Sequence, residues 1–288
     1  MLSLVPLLST MLAAGPDHES QNPLYRQLRE SGVPVTATDK IRLPAPTLAD
    51  GMSAEGQLKA LQALAGEQYS VEELTRNSPV APFILRVNDL KPFDPKAPAR
   101  GVDLWFVVYG TLDMDLGGAF IDRALGDSRK QGKMHELQPE ELAKRNIKLR
   151  DEKHEGYGHV FFNFLDRVEI QATGHTFWTR TSDSMLAATD MDERFRDDPQ
   201  FPNRWRSIEK ADGDVKTGHW KPFSGSGQYL KVTRLHEPQG ALFVEYHLVF
   251  TEPADWFGGA NLLRSKLPQA AQVIVRSMRR ELLKEQQK

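Results

Sequence analysis

Apolar and polar positions alternate most clearly over residues 241–250. Leu242, Val244, Tyr246, Leu248 and Phe250 fall on one face of an extended chain, and Phe243, Glu245, His247 and Val249 on the other. The first face is apolar apart from one phenol. A second extended run over 228–237, joined to the first through Pro238, Gln239 and Gly240, makes the pair a hairpin. Downstream, Leu263, Leu267, Ala270, Ala271, Ile274, Met278 and Leu282 recur at steps of three and four, which sets them on one side of a long helix. Arg264, Gln269, Gln272, Arg276 and Arg279 take the other side. Pro268 lacks an amide proton and predicts a short first turn, a kink or a new helix start. Arg276, Arg279, Arg280 and Lys284 crowd the helix end, where cations suit the negative pole of its dipole.

Earlier in the chain, residues 16–21 are polar and read as unordered, and Asn22 followed by Pro23 opens a short helix ending near Gly32. Prolines make 33–47 extended, a wrapping segment rather than core. A helix is expected over 53–66, then a short one capped by Ser70. A strand over 83–87 precedes a proline-rich connector over 91–100, and a strand over 103–110 with two apolar faces belongs in the centre of a sheet or under cover on both sides. Helices are expected over 118–125 and after Pro139, with a surface loop over 126–133 between them. Four strands follow, over 159–165, 167–172, 175–181 and 185–189, divided at Asp166-Arg167, Thr173-Gly174 and Ser182-Asp183. The stretch 190–221, with its prolines and Asp212-Gly213-Asp214, reads as a covering loop or the rim of a pocket.

Composition narrows the class without naming a chemistry. With 40% hydrophobic residues, 26% charged and a formal net charge of −2 over 288 residues, nothing calls for nucleic acid as a partner. The absence of cysteine excludes disulfides, thiolate metal sites and cysteine nucleophiles. Residues 2–12 are almost continuously apolar and are followed by Ala13, Ala14 and Gly15, so residues 1–15 read as a cleaved export signal, although no Lys or Arg precedes the run. No other stretch is long and apolar enough to span a bilayer.

The final hairpin and helix carry a resemblance. Val232-Thr233-Arg234-Leu235, Val244-Glu245-Tyr246-His247-Leu248-Val249-Phe250, the turn Trp256-Phe257-Gly258-Gly259 and the proline-containing Leu262-Leu263-Arg264-Ser265-Lys266-Leu267-Pro268 resemble the closing hairpin and helix of the START-like, helix-grip (SRPBCC-type) superfamily of lipid-transfer domains, polyketide cyclases and pollen-allergen-type binders. The resemblance covers about residues 101–288. It implies an α+β fold in which a curved antiparallel sheet grips the C-terminal helix, with residues 16–100 as a helical and extended N-terminal appendage. It also implies a cavity between sheet and helix for an apolar or lipid-like ligand.

No motif assigns a reaction. Asp113-Met114-Asp115 and Asp190-Met191-Asp192 begin like calcium loops, but Ala124 and Phe201 stand where a bidentate Glu is needed. His154 and His159 lack the spacing of a helical zinc motif, and with His175 they read as exposed turn histidines; no metal and no cofactor is expected. Glu245 and His247 could work as an acid and base, yet they lie opposite the apolar face and are expected outside the cavity. The polar groups expected to orient a ligand are Tyr246, on the apolar face beside Val244, and Arg234 and Arg180 on neighbouring strands. The expectation is an exported protein that binds an apolar small molecule or lipid, with no nucleic-acid partner and no membrane span after signal removal. An enzyme of the same fold, of cyclase or hydrolase type, and a packed interaction module are the alternatives.

Overall fold

The structure is a computed structural model that describes residues 17–91, 97–112, 133–211, 214–257 and 262–286. The export signal expected over 1–15, the helix expected over 118–125 and the loop at Asp113 lie outside the described residues.

An 11-stranded antiparallel sheet organises the chain. Its long strands are β4 (Ala99–Tyr109), β6 (Glu155–Phe164), β7 (Val168–Arg180), β8 (Ser184–Met191), β12 (Ser226–Arg234) and β13 (Ala241–Thr251). They are joined by β3 (Ile84–Asp89), β5 (Lys133–Glu136), β9 (Arg204–Ala211), β10 (Asp214–Thr217) and β11 (Lys221–Pro222). The path runs β10-β9-β7-β8-β12-β13-β4-β3, with β6 on the second edge of β7, β5 on β6 and β11 on β9. A separate short ladder pairs β1 (Val33–Pro34) with β2 (Lys40–Ile41). The helix α6 (Leu262–Gln286) lies on one face of the sheet, and residues 17–50 cover the other. The α+β arrangement of open antiparallel sheet and C-terminal helix is the one expected from the sequence.

Several local readings need correction. The two strands expected on either side of Thr173-Gly174 are one strand, β7. Gly174 makes no turn; it is small because a Cβ there would stand 2.9 Å from the Thr189 methyl on β8. The expected loop over 190–221 contains a hairpin, β9 and β10, and β9 pairs with β7 through Ile170 opposite Trp205. Strand β5 lies between the loop expected over 126–133 and the helix expected after Pro139, which is α5 (Pro139–Ala143). The helix runs on through Pro268, which is exposed within its first turns. The strand expected over 83–87, placed before the boundary at residue 100 but compatible with the following sheet, is β3, which pairs with β4 from Ile84 opposite Trp105 to Asp89 opposite Arg100.

The N-terminal segment departs furthest from its reading. Asp17 caps a short helix, α1 (His18–Gln21), and His18 is buried rather than unordered. Asn22 then accepts from the Tyr25 amide at 2.9 Å and caps α2 (Pro23–Glu30). Val33, Leu43 and Leu48 are fully buried, so the wrapping segment is core. Its approach is close: a Cβ on Gly227 would meet Val33 Cγ2 at 2.5 Å. Beyond it, α3 (Ala54–Ala65) and α4 (Val71–Leu74) are capped by Ser53 and Ser70, and they pack Leu61, Leu64 and Leu74 over Trp105, Val107 and Phe243.

Candidate functional site

Strand register sorts the sheet into two faces, because residues directly opposite each other share a face. The face under α6 carries Leu242, Val244, Tyr246, Leu248 and Phe250 of β13 with their partners on β12 and β4. The helix packs tightly at its two ends. Toward its C-terminus, Val275, Met278 and Leu282 close over Phe106, Val232 and Val244. Toward its N-terminus, Leu263 joins Val102, Phe250, Trp256 and Phe257.

Arg279 secures the first of these ends. It was expected on the polar side of the helix, but it is buried and spends its guanidinium on main-chain carbonyls: Nε donates to Val107 O at 2.8 Å, Nη2 to Pro82 O at 2.9 Å, and Nη1 to Ala81 O. Burial lowers its pKa to about 10. Val107 lies beyond the last β4 residue that β3 pairs, so the arginine supplies a donor where the edge strand stops.

Between the packed ends the sheet stays partly open. Leu104, Ala187, Leu230, Tyr246, Leu248 and Gln228 are all half-buried, although their strands lie inside the sheet and Leu104, Leu230 and Leu248 border the packed clusters. Four neutral hydrogen-bonding side chains cross this apolar wall. Gln228 pairs with Thr189, and Thr189 with Thr176, in one row across β12, β8 and β7. The Thr176 and Thr189 hydroxyls are 3.0 Å apart. Tyr246, diagonal to Gln228 across β12 and β13, donates its phenol proton to Gln228 Oε1. Burial raises the Tyr246 pKa, so the phenol stays protonated and uncharged.

Of the expected site residues, Tyr246 stands in this groove, while Arg234 and Arg180 are exposed at one end of the sheet, on β12 and β7. The structure does not bring the arginines to the phenol. The sequence reading missed Gln228, Thr189 and Thr176. Gln228 was detectable as a polar residue in step with Leu230 and Val232, but only the register sets all three beside Tyr246.

The opposite face is the surprise. Glu245 and His247 point away from the helix, as expected, but both are buried, because the N-terminal segment lies over them. The sheet holds that segment with polar side chains aimed at its backbone. Tyr229 donates to Pro44 O at 3.1 Å, Glu245 accepts from Thr47 N at 2.7 Å, Trp105 donates to Thr47 Oγ1 at 2.9 Å, and Lys231 donates to Leu48 O at 2.6 Å. Lys231 also pairs with Asp50 at 2.8 Å, and Asp50 accepts from Ser184, whose hydroxyl meets His18 at 2.8 Å. Burial lowers the His18 pKa to about 4 and keeps it neutral. His247 differs. Burial opposes its charge, but Asp103 on Nδ1 at 2.7 Å and Glu245 on Nε2 hold its pKa above the ordinary value. Both carboxylates only accept, which suits an imidazolium donating from both nitrogens.

A cavity of about 200 Å³ opens beside this network, lined by Asp50, Gln57, Asp183, Ser184 and Thr233 among others. Of the three histidines read together, His154 lies in a turn as expected, while His159 and His175 are on β6 and β7; all three are half-buried and each has its own partner: His154 with Asp151 at 2.7 Å, His159 with Thr173 at 2.9 Å, and His175 with Glu155 at 2.6 Å. Asp192 caps a 3-10 turn and binds Arg194, while Asp190 is raised to about 7 by burial and by Asp192. Among the described residues no cluster of three metal-ligating side chains occurs, and no helix is long and apolar enough to cross a membrane.

No family model and no curated protein matches the sequence. Among solved structures, the chain is similar to the human StarD13 (DLC2) lipid transfer and protein localization domain, with a TM-score of 0.38 and 11% identity over 77% of this chain and 95% of that one. It is similar to human STARD10 with a TM-score of 0.31 and 6% identity over 84% and 83% of the two chains. A conserved protein from Geobacillus kaustophilus matches with a TM-score of 0.28 and 8% identity over 65% and 95%. START domains, the resemblance expected from the last hairpin and helix, are among these similar structures, and at such scores and identities the function is argued from the side chains alone.

Proposed function

We propose that this protein holds an apolar or lipid-like molecule in the groove between the sheet and α6. One observation carries the reading: a continuous apolar wall in the centre of the sheet remains half-buried, while both ends of the same helix are packed shut. Exposing such a wall to water costs about 25 cal/mol for each Å², and an apolar guest recovers that cost. Pockets of this kind take orientation from a few placed polar groups in an apolar lining, and here Tyr246 and Gln228 fill that role. Among the described residues facing this stretch there is no carboxylate, imidazole or ammonium group, which favours carriage over acid–base chemistry.

Native mass spectrometry of the protein purified from its own cells tests the reading, with Leu230→Trp as the groove-filling control. The expected result is a small-molecule adduct on the wild type that the variant lacks at unchanged melting temperature. An adduct-free wild type that also takes up no added apolar compound overturns it. We further propose export, resting on the apolar run over 2–12. The mass of the mature chain decides this: loss of about the first 15 residues is expected, and retention of Met1 through Gly15 in a cell-envelope fraction sinks it.

A further inference from the structure

The polar strip on the groove wall has a definite chemistry. Gln228 Oε1 is already occupied by the Tyr246 proton, which leaves the amide nitrogen as a donor and the phenol oxygen as an acceptor. Among the described residues, neither has another protein partner within hydrogen-bond distance. A donor and an acceptor side by side complement a hydroxyl, which accepts from the amide and donates to the phenol. A carboxylate offers only acceptors and would meet the phenol oxygen with nothing to give it. It would also carry its charge into a wall whose polar members, Thr176, Thr189, Gln228 and Tyr246, are all neutral, and burying an unpaired charge is strongly unfavourable. The exposed Arg234 pairs with Leu242, four residues along β13 from Tyr246, and the exposed Arg180 pairs with Met185 in the row of Val232 and Val244, three strands away on β7.

Resting on the groove reading above, we infer that the bound molecule is an uncharged apolar alcohol, its hydroxyl held between the Gln228 amide and the Tyr246 phenol. The arginines at the sheet end then have no share in recognition.

Retinol and retinoic acid share one hydrocarbon and differ in the group at its end, so they separate this inference from the groove reading. Each is titrated into the full protein and followed by tryptophan quenching; Trp178 shares the groove face, opposite Ala187. The expected result is saturable binding of retinol, retinoic acid at least about tenfold weaker, and a loss of about tenfold for retinol in Gln228→Leu and in Tyr246→Phe, which is the effect of one hydrogen bond to a ligand. Tyr246→Phe removes a single oxygen and keeps the test open if Gln228→Leu does not fold. Retinoic acid binding as tightly as retinol, or both variants binding retinol like the wild type, overturns the inference and leaves the groove reading intact. Failure of both retinoids to bind counts against both.

Discussion

Lys231 and Asp50 form an ion pair of 2.8 Å across the junction between the sheet and the N-terminal segment, and the same ammonium donates to Leu48 O at 2.6 Å. The lysine is 1% exposed. Removing one partner of a buried pair leaves the other charge uncompensated, at a cost of about 3 to 5 kcal/mol. Lys231→Met is therefore expected to destabilise the protein by about 3 kcal/mol in urea unfolding, and Lys231→Met with Asp50→Asn to recover part of that loss. A double variant no more stable than the single one would show that Asp50 is not held by this contact.

Arg279 is the corresponding fastening on the helix side. Arg279→Met leaves the carbonyls of Val107, Ala81 and Pro82 without their donor. The expected loss is about 3 kcal/mol, the range for stranded buried polar groups, with Arg279→Lys in between. Hydrogen exchange should quicken first around β3 and the last turns of α6. Unchanged protection there would contradict this role.

Gly227 sets how closely the N-terminal segment approaches. A Cβ on it would meet Val33 Cγ2 at 2.5 Å and Leu28 Cδ2 at 3.1 Å. Gly227→Ala is expected to cost about 1 to 3 kcal/mol, as overpacking does, and to raise proteolysis within residues 17–50 before the sheet unfolds. Equal cleavage rates in variant and wild type would rule out a tight contact.

Two buried groups give stability opposite dependences on pH. His18 has a pKa of about 4 in the folded chain against 6.5 as the ordinary value. The unfolded chain thus binds the extra proton, and the contribution of neutral His18, present above pH 6.5, is lost as pH falls toward 4. The size is about 3 kcal/mol at most. His159, lowered by burial to about 4, adds the same sign. Asp190, raised from 3.8 to about 7, works the other way: its contribution is complete below pH 3.8 and is lost as pH rises toward 7. Guanidinium melts of His18→Gln between pH 7 and 4 should therefore lose less stability on acidification than the wild type. Parallel curves would mean that His18 titrates normally.

The sequence disclosed what depends on local pattern and concealed what depends on register. The alternation in β13 located the strand and singled out Tyr246 as the one polar residue on its apolar face, because side-chain direction follows from spacing alone. Gln228, Thr189 and Thr176 come beside it only through cross-strand pairing, which no window of sequence contains. Burial of the opposite face was hidden for a related reason. Glu245, read as lying outside the cavity, is covered together with Tyr229 and Lys231 by a segment 183 to 198 residues away, which supplies their partners at Pro44, Thr47 and Leu48. That segment is rich in proline, which resembles a linker when read alone. Gly174 misled in the same way: a glycine in a strand marks a close approach as often as a turn, and the approaching Thr189 methyl lies on another strand.

Because β4, the first long strand, takes β13, the last, as its neighbour, the molecule has an order of assembly. As the chain leaves the ribosome, residues 17–50 find no surface to dock on, since Tyr229, Lys231 and Glu245 are not yet made. The sheet cannot close until the final hairpin arrives, and only then can both covers, one from each end of the chain, settle on it. Neither cover is secure before residues 226–251 have been made.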